Sequence, residues 1–255
     1  ILSIFVINRT SIILSSLSGR FEESVADQTK SQILNTVQNE ADKANLLFEG
    51  ISKDLLGVVE YRARLETQRT NFAASPYWNA TERLFQLPDG QVGNSGIEVT
   101  EDMLADINTS MYLDFLAPGF LDSHPEVVAL YYISSTGYTV YYPNIDLAEN
   151  VPPDFNPTTQ TFYMIAAPEQ NPDSLPQWTK PYQDPAGAGL IVTLSVPVYT
   201  RTGVFKGVIG ADVQVARIAS TLSEIKLGET DFAFLVDKNG FILSMPEAGY
   251  QLFGL

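Results

Sequence analysis

The sequence predicts an α+β fold, in which a long N-terminal helix is followed by modules built on antiparallel sheets. Before Pro76 there is no proline, and apolar residues recur there at three- and four-residue steps. From residue 127 onward, short runs of alternating apolar residues are separated by turns that contain glycine. Two hairpin-like segments, at residues 127–143 and 232–246, share one pattern, which indicates two copies of one module.

The N-terminal element is predicted as one amphipathic helix over residues 18–68. Its apolar face comprises Phe21, Val25, Ile33, Val37, Ala41, Ala44, Phe48, Ile51, Leu55 and Val59. A helix of about 50 residues is about 75 Å long at 1.5 Å per residue, more than one module can cover. It should therefore run along two modules, pair with a second copy of the chain, or both. The alternative is a helical hairpin that breaks near Gly50.

The next segments predict one helix and one hairpin. A helix should start at Thr100, with an apolar face of Met103, Leu104, Ile107, Met111, Phe115 and Leu116. His124, the single histidine, is interpreted as a surface residue. Strands are predicted at residues 127–133 and 138–142, followed by an irregular segment over residues 144–177 with a short helix near residues 161–167.

The stretch from residue 178 to 215 predicts three consecutive antiparallel strands, with turns at residues 184–187 and 200–203. In its last run, alternation places Phe205 and Ile209 on one face and Lys206, Val208 and Asp212 on the other. Gly210 leaves space beside Asp212. Both faces carry apolar residues and should be covered, so the Asp212 carboxylate needs hydrogen-bonding partners.

The chain is predicted to divide into four parts. They are a helix at 1–75, a first module at 76–215, a connecting helix at 216–228 and the start of a second module at 229–255. When Gly137 is aligned with Gly240, Pro143 and Pro246 both fall six positions later. The second copy reaches only its first hairpin before residue 255, so the second module is incomplete.

Composition excludes several classes of function. Thirty acidic and 15 basic residues give a net charge of −15, which would repel nucleic acid. Cysteine is absent and histidine occurs once, which leaves no support for nucleophilic catalysis or a metal site. No phosphate-binding or dinucleotide-binding motif occurs either. We therefore expect neither an enzyme nor a cofactor in this segment. A run of about 20 apolar residues, as a complete membrane span requires, is also absent.

A candidate binding site remains, because aromatic and polar residues cluster around the irregular segment and the strands. A small-molecule site combines aromatic walls with a few polar groups, although any single aromatic can equally fill a core. The candidate residues are Phe155, Gln160, Phe162, Tyr163, Trp178, Tyr182, Asp184 and Asp212.

Three motifs resemble the distal module of double-Cache (tandem PAS-like) extracytoplasmic sensor domains. They are WTKPYQD at residues 178–184, PVY at 197–199 and the glycine-spaced run ending in Asp212 at 203–212. The resemblance implies tandem PAS-like modules and a distal site for small polar ligands, often amino acids. In that family an R-x-W-Y motif holds the ligand carboxylate and a strand Asp holds its ammonium. Here Tyr163, Tyr182 and Asp212 match, while Gln160 and Phe162 replace the Arg and the Trp.

These replacements shape the expected ligand. Glutamine cannot form the bidentate charged pair that a guanidinium gives a carboxylate. We therefore expect an amine, or another neutral or cationic molecule such as a polyol, in preference to an ordinary amino acid. Asp184 and Asp212 would meet a cation, and Trp178 or Tyr182 would add a cation–π face. A module that binds nothing is the alternative.

The resemblance implies the extracytoplasmic sensor of a membrane-anchored signalling receptor. Its output domain, whether chemoreceptor, histidine kinase, cyclase or phosphatase, would lie outside this segment. The apolar start at residues 1–7 fits the outer end of a membrane helix or a helix that packs on a partner. A second copy, paired through the N-terminal helix, is a candidate partner. The alternative function is a secreted or surface solute-binding protein, and a hydrolase has the least support.

Overall fold

The computed structural model describes residues 2–72, 100–145, 147–152, 155–218, 234–236, 242–245 and 247–254. Its first element is helix α1, which spans Leu2–Thr67 and contains 66 residues. The helix continues through Gly50, so the hairpin alternative is wrong. At 1.5 Å per residue α1 is about 100 Å long. A short helix, α2, follows at Arg69–Phe72.

Among the residues of α1 whose side chains are described, the buried ones lie in the C-terminal third of the helix. Ile51, Leu55 and Val58 are in the core and pack against the sheet domain. Farther toward the N-terminus the same apolar pattern is exposed: Val25 retains 45% and Val37 47% of its surface. The sheet domain is therefore too small to cover the whole predicted apolar face.

The segment after residue 100 crosses over α1. Helix α3, Glu101–Ser110, starts as predicted, since the Thr100 hydroxyl accepts a hydrogen bond from the Met103 amide at 3.2 Å. A 3-10 helix over Met111–Phe115 follows, and then helix α4, Ala117–Ser123. The change to 3-10 geometry alters the helical phase at Met111, so the single helix predicted through residue 116 is wrong and Phe115 is exposed.

His124 follows α4 and is not a free surface residue. Its Nε2 lies 2.9 Å from Asp54 Oδ2 on α1, and its ring contacts Phe120 with centroids 4.9 Å apart. The side chain is mostly buried. His124 thus joins α4 to α1, a contact across 70 positions of chain that local sequence cannot indicate.

The sheet contains six antiparallel strands. Their bounds are β1 Val127–Ser134, β2 Thr139–Tyr142, β3 Gln177–Trp178, β4 Tyr182–Gln183, β5 Leu190–Tyr199 and β6 Phe205–Gln214. The order across the sheet is β2-β1-β6-β5-β3, and β4 also pairs with β5. Between β2 and β3 lies a covering segment at residues 147–164. It contains helix α5 at Leu147–Asn150, a 3-10 helix at Pro157–Thr159 and helix α6 at Thr161–Met164.

The two faces of the sheet bury different clusters, as the alternation predicts. One face packs on α1 and carries Leu130, Tyr132, Val192, Leu194, Val196, Ile209, Ala211 and Val213. The other face packs on α6 and carries Ala129, Tyr131, Ile133 and Val208. We call the face that packs on α1 the helix face. The face that packs on α6 is called the cavity face, because it lines the cavity described below.

The alternation fails at one point of β6. Phe205 packs on the cavity face beside Tyr163, while Lys206 reaches Asp106 at 3.2 Å on the helix side, the reverse of the prediction. The cause is a bulge, because Val198 pairs with Gly207 and Tyr199 with Phe205. Gly207 has a φ of +149°, a conformation that favours glycine.

The C-terminal part contains the predicted second hairpin. Strands β7, Leu235–Val236, and β8, Ile242–Ser244, pair antiparallel, and a helix at Glu247–Phe253 follows. Residues 215–218 are helical, but the rest of the predicted connecting helix lies outside the described residues. The four-part division and the second module stay predictions. In the part of the chain that is described, no helix is both long and apolar enough to span a membrane.

Candidate functional site

A cavity that opens to solvent lies between the cavity face of the sheet and the covering segment, and it contains about 370 Å³ of empty space when the open part is included. It is lined by Tyr131, Ile133, Thr139, Tyr141, Leu147, Val151, Phe155, Pro157, Phe162, Tyr182, Asp184, Pro185, Ala186 and Asp212. Aromatic and aliphatic walls therefore surround two carboxylates and several hydroxyls.

Asp212 is the central polar group of the cavity, and only 3% of its surface is exposed. Its Oδ1 accepts hydrogen bonds from the Tyr131 hydroxyl at 3.0 Å and from Thr193 Oγ1 at 2.6 Å. The Thr193 oxygen lies 2.6 Å from the Tyr182 hydroxyl, which extends the chain of hydrogen bonds. The partners that a buried carboxylate needs are thus supplied by β1 and β5, and Tyr182 of β4 bonds in turn to Thr193.

Burial raises the pKa of Asp212 to about 7. Hydrogen bonds from Thr193 and Tyr131 oppose this rise, while the nearby Asp184 carboxylate adds to it. Burial and the Asp212 charge also hold the pKa of Tyr131 far above its usual value, so its hydroxyl remains a donor. Asp212 can therefore gain or lose a proton near neutral pH.

The space that Gly210 leaves is filled by Tyr131. The two residues are paired across β1 and β6, and a Cβ on Gly210 would lie 2.3 Å from the Tyr131 ring. The ring therefore crosses β6 to reach Asp212. Tyr141 on β2 stacks on the other side of this ring, with centroids 5.6 Å apart and planes 3° from parallel. The glycine thus serves to position a donor rather than to leave room for a ligand.

Asp184 has a structural contact as well as a place in the cavity wall. Its two carboxylate oxygens accept hydrogen bonds from the amides of Ala186 at 3.0 Å and Ala188 at 2.8 Å. This fixes the turn between β4 and β5. The same turn presents Pro185 and Ala186 to the cavity. Asp184 therefore shapes one wall and adds negative charge near Asp212.

Five of the eight predicted site residues line the cavity. They are Phe155, Phe162, Tyr182, Asp184 and Asp212. The rings of Phe162 and Tyr182 lie nearly parallel with centroids 5.9 Å apart, so the covering segment and β4 form one aromatic wall.

The other three predicted residues are not in the cavity lining. Trp178 pairs with Leu194, a helix-face residue, and its ring meets Phe48 of α1 at 4.9 Å. Gln160 precedes α6, and its side-chain amide donates to the Asn156 carbonyl at 3.1 Å. Tyr163 is buried against Phe205, where burial raises its pKa to about 12.

Thr139 is the most informative lining residue that the sequence did not indicate. It is 4% exposed, and its Oγ1 is the only buried side-chain nitrogen or oxygen without a hydrogen-bond partner in the described part of the chain. Tyr131, Tyr141 and Thr139 come from β1 and β2, far in sequence from the motifs at residues 178–212. Only the register of β1 with β2 and β6 brings them to the cavity.

Comparison with known proteins agrees with this architecture. Residues 98–220 match the family model "Methyl-accepting chemotaxis protein-like, first PDC sensor domain". The chain is 33% identical over 127 residues to the methyl-accepting chemotaxis protein McpC of Bacillus subtilis (strain 168), covering 49% of this chain and 18% of McpC. The resemblance to double-Cache sensor domains is therefore confirmed: residues 98–220 are similar in sequence to the first PDC sensor domain of methyl-accepting chemotaxis proteins.

Two solved ligand-binding domains of chemoreceptors are also among the proteins that match the chain. One is that of CtaA from Pseudomonas fluorescens with L-serine, at 20% identity and a TM-score of 0.46, covering 80% of this chain and 70% of that chain. Another is that of the amino acid chemoreceptor PctC from Pseudomonas aeruginosa with GABA, at 25% identity and a TM-score of 0.37 over 48% and 52% of the two chains.

The bound molecules of these neighbours contradict the expected ligand class. GABA and L-serine are both amino acids. The preference for an amine or another neutral or cationic molecule over ordinary amino acids is therefore wrong. It rested on the missing guanidinium at position 160, but Gln160 does not line the cavity, so the residue at that position says little about what the cavity accepts.

Proposed function

We propose that the cavity binds a small amino acid-like molecule and that this chain is the extracytoplasmic sensing region of a membrane-anchored chemotaxis receptor. The observation that carries the proposal is the buried Asp212 carboxylate in a cavity whose walls are mostly aromatic and aliphatic. Such a group is costly in an empty protein, but it offers a partner for a cationic group of a ligand.

The cavity chemistry favours a ligand with an ammonium group. Asp212 and Asp184 supply negative charge, and among the lining residues there is no Lys or Arg. The Tyr182 and Tyr141 rings offer faces to a cation. The Tyr141 hydroxyl and Thr139 Oγ1 are hydrogen-bonding groups for a polar acceptor, such as the carboxylate of an amino acid. The aliphatic side chains of Leu147 and Val151 leave an apolar surface for the rest of the molecule.

The receptor context is supported by the matched relatives. The chain spans about a fifth of the length of McpC, so membrane anchoring and the output domain belong to the proposal. In that arrangement residues 76–215 form the membrane-distal module and residues 229–255 begin the proximal one. Occupancy of the cavity would bias two arrangements of the module and helix, which the membrane segments transmit.

Calorimetry with the 20 standard L-amino acids and GABA tests the proposal. At least one should bind, and Asp212→Asn should weaken the tightest binder by roughly 10- to 100-fold, as expected for loss of a charged hydrogen bond. Asp173→Asn is the matched control, because Asp173 is exposed on the same domain and lies outside the cavity lining. The affinity of this variant for the same molecule should stay within about twofold of that of the wild type. Binding that survives Asp212→Asn unchanged, or no binding at all, would exclude this site.

A further inference from the structure

A buried ionic cluster lies on the helix face of the sheet, across from the cavity. At its centre is Arg62 of α1, whose surface is 0% exposed. Its guanidinium donates to Asp106 Oδ1 at 2.8 Å, to Glu66 Oε2 at 3.0 Å and to Ser110 Oγ at 3.1 Å. The Tyr132 ring lies against it, with 4.8 Å from Cζ to the ring centroid.

The anionic partners extend the cluster to the rest of the sheet. The Tyr138 hydroxyl donates to Asp106 Oδ2 at 2.6 Å. Lys206 Nζ lies 3.2 Å from Asp106 and 3.4 Å from Glu66. Arg62 and Lys206 thus face the carboxylates of Asp106 and Glu66, and Arg69 also approaches Glu66 at 3.7 Å. We call Arg62, Glu66, Asp106, Tyr138 and Lys206 the Arg62 cluster.

Stability alone does not account for such a cluster. Desolvation of buried charges offsets most of their attraction, and apolar residues of the same volume often stabilise a protein at least as well. What a buried guanidinium provides is a fixed geometry, since its planar donors accept only a narrow range of partner positions. The Arg62 cluster fixes α1 to α3, β2 and β6, with Tyr132 of β1 stacked on it, in one arrangement.

Two residues that belong to the cluster or contact it are chain neighbours of cavity residues, one pair within β1 and the other where β2 begins. On β1, Tyr131 donates to Asp212 in the cavity, and its neighbour Tyr132 packs on Arg62. At β2, Thr139 lines the cavity, and its neighbour Tyr138 donates to Asp106. Because successive strand residues point to opposite faces, a backbone shift that moves one member of each pair also moves the other.

We infer that the Arg62 cluster is the joint through which the state of the cavity reaches α1, an inference that rests on the sensing function proposed above. A molecule that engages Tyr131 or Thr139 displaces β1 or β2. Tyr132 or Tyr138 then changes its contact with the cluster, and α1 responds as a rigid helix. Arg62 itself touches nothing in the cavity, so it couples the two sides without taking part in binding.

A double-mutant cycle tests the coupling in the ligand-free 255-residue chain. The two substitutions are Thr139→Val in the cavity and Arg62→Lys in the cluster. Urea unfolding is measured for the wild type, both single variants and the double variant. The combined change in the unfolding equilibrium constant should depart at least threefold from the product of the two single changes. Arg64→Lys replaces Arg62→Lys in the control cycle, because Arg64 is 67% exposed on the same helix, and here the changes should multiply within twofold.

If the changes in the unfolding equilibrium constant simply multiply in both cycles, the cavity and the cluster are not coupled and the inference is overturned. If Arg62→Lys does not fold, Tyr138→Phe takes its place, since it removes only the hydroxyl that donates to Asp106.

Hydrogen exchange then tests the joint with ligand. The probe is the tightest binder among the 20 L-amino acids and GABA. At saturation it should change amide exchange over residues 51–67 of the wild type. Tyr138→Phe should keep the Kd within threefold but lose at least half of that change. If Tyr138→Phe keeps the full ligand-induced change in amide exchange over residues 51–67, or loses affinity tenfold, the inference is contradicted. If no panel member binds the wild type, the proposed function fails, while the mutant cycle still decides the coupling.

Discussion

Single residues determine the chemistry of the cavity, and Asp212 has the largest effect. Its carboxylate has two donors, Tyr131 and Thr193, yet burial still raises its pKa to about 7. The folded protein therefore retains a proton on Asp212 at pH values where the unfolded chain has lost it. Proton binding and stability are therefore linked at this one group, and binding of the proposed ligand would be linked to both.

The raised pKa of Asp212 predicts that the contribution of this residue to the free energy of unfolding falls as pH rises. Between about pH 4 and 7 the folded state binds the Asp212 proton more tightly than the unfolded state, so its contribution declines by up to about 1.4 kcal/mol per pH unit. Asp212→Asn resembles the protonated form, so it should match the wild type near pH 4 and exceed it near pH 7. Urea unfolding of both proteins across this range measures the difference. Parallel pH profiles would show that Asp212 ionises in the folded state as it does in the unfolded chain.

Thr139 makes a second prediction at this scale. Thr139→Val removes a buried hydroxyl that has no hydrogen-bond partner in the described structure, so the free energy of unfolding should rise by about 1 kcal/mol. Thr193→Val is the contrast, because that hydroxyl donates to Asp212 and its loss should destabilise the protein by about 1–3 kcal/mol. Thermal or urea unfolding without ligand compares the two. A destabilised Thr139→Val would indicate that the hydroxyl is satisfied by water.

At the scale of elements, alternation and turn residues predict most of the sheet but not its irregularities. The antiparallel order of β5 and β6 and the two covered faces follow from period two. Phe205 and Lys206 exchange faces because a bulge at Gly207 inserts one residue into that period. Strand β3 has only two residues, too few to establish a period, so nothing local indicated that Trp178 faces α1.

The same limit explains which parts of the site the sequence missed. Phe162, Tyr182 and Asp212 belong to motifs near one another in the chain. Thr139 and Tyr141 reach the cavity only through pairing of β2 with β1, a contact that depends on register and not on local pattern. Gln160 was predicted from its place in a motif, yet its amide bonds to its own turn.

The bulge gives the element-scale prediction. Gly207→Ala would place a Cβ 2.1 Å from the Ile133 carbonyl oxygen, at a φ of +149°. It should destabilise the protein by about 2 kcal/mol or more, through clash and backbone strain together. Gly187→Ala is the matched control, with a φ of +95° and no atom within 4 Å of the added Cβ. Strain alone should cost it about 1 kcal/mol. Equal effects in urea unfolding would mean that β1 moves freely away from β6.

At the scale of the whole molecule, α1 is one helix with two environments. Residues 51–65 pack on the sheet domain, whereas residues 23–35 and 37–39 are exposed. Isolated helical segments are marginal in water, because most helical stability in proteins comes from packing. The sequence predicted one unbroken helix that ends near residue 68, but it placed the start at residue 18 instead of Leu2 and did not indicate which part the sheet domain covers.

Amide exchange should therefore divide α1 sharply. Residues 51–65 should exchange at rates near those of β5 and β6, and residues 23–39 should exchange at least about 100-fold faster, since their opening breaks no tertiary contacts. Mass spectrometry of the 255-residue chain at low protein concentration measures both. Slow exchange over residues 23–39 would contradict this. A return to fast exchange on dilution would then identify a second copy of the chain as the cover.

The placement of Tyr131 beside Tyr132, and of Thr139 beside Tyr138, has a consequence for how such a protein can diversify over generations. If the cavity is the ligand site proposed above, substitutions on the cavity face of the sheet can change which molecule it binds, while the neighbouring side chains keep their contacts with the Arg62 cluster. Ligand specificity could then change between descendants without any change in the contacts that join the sheet to α1.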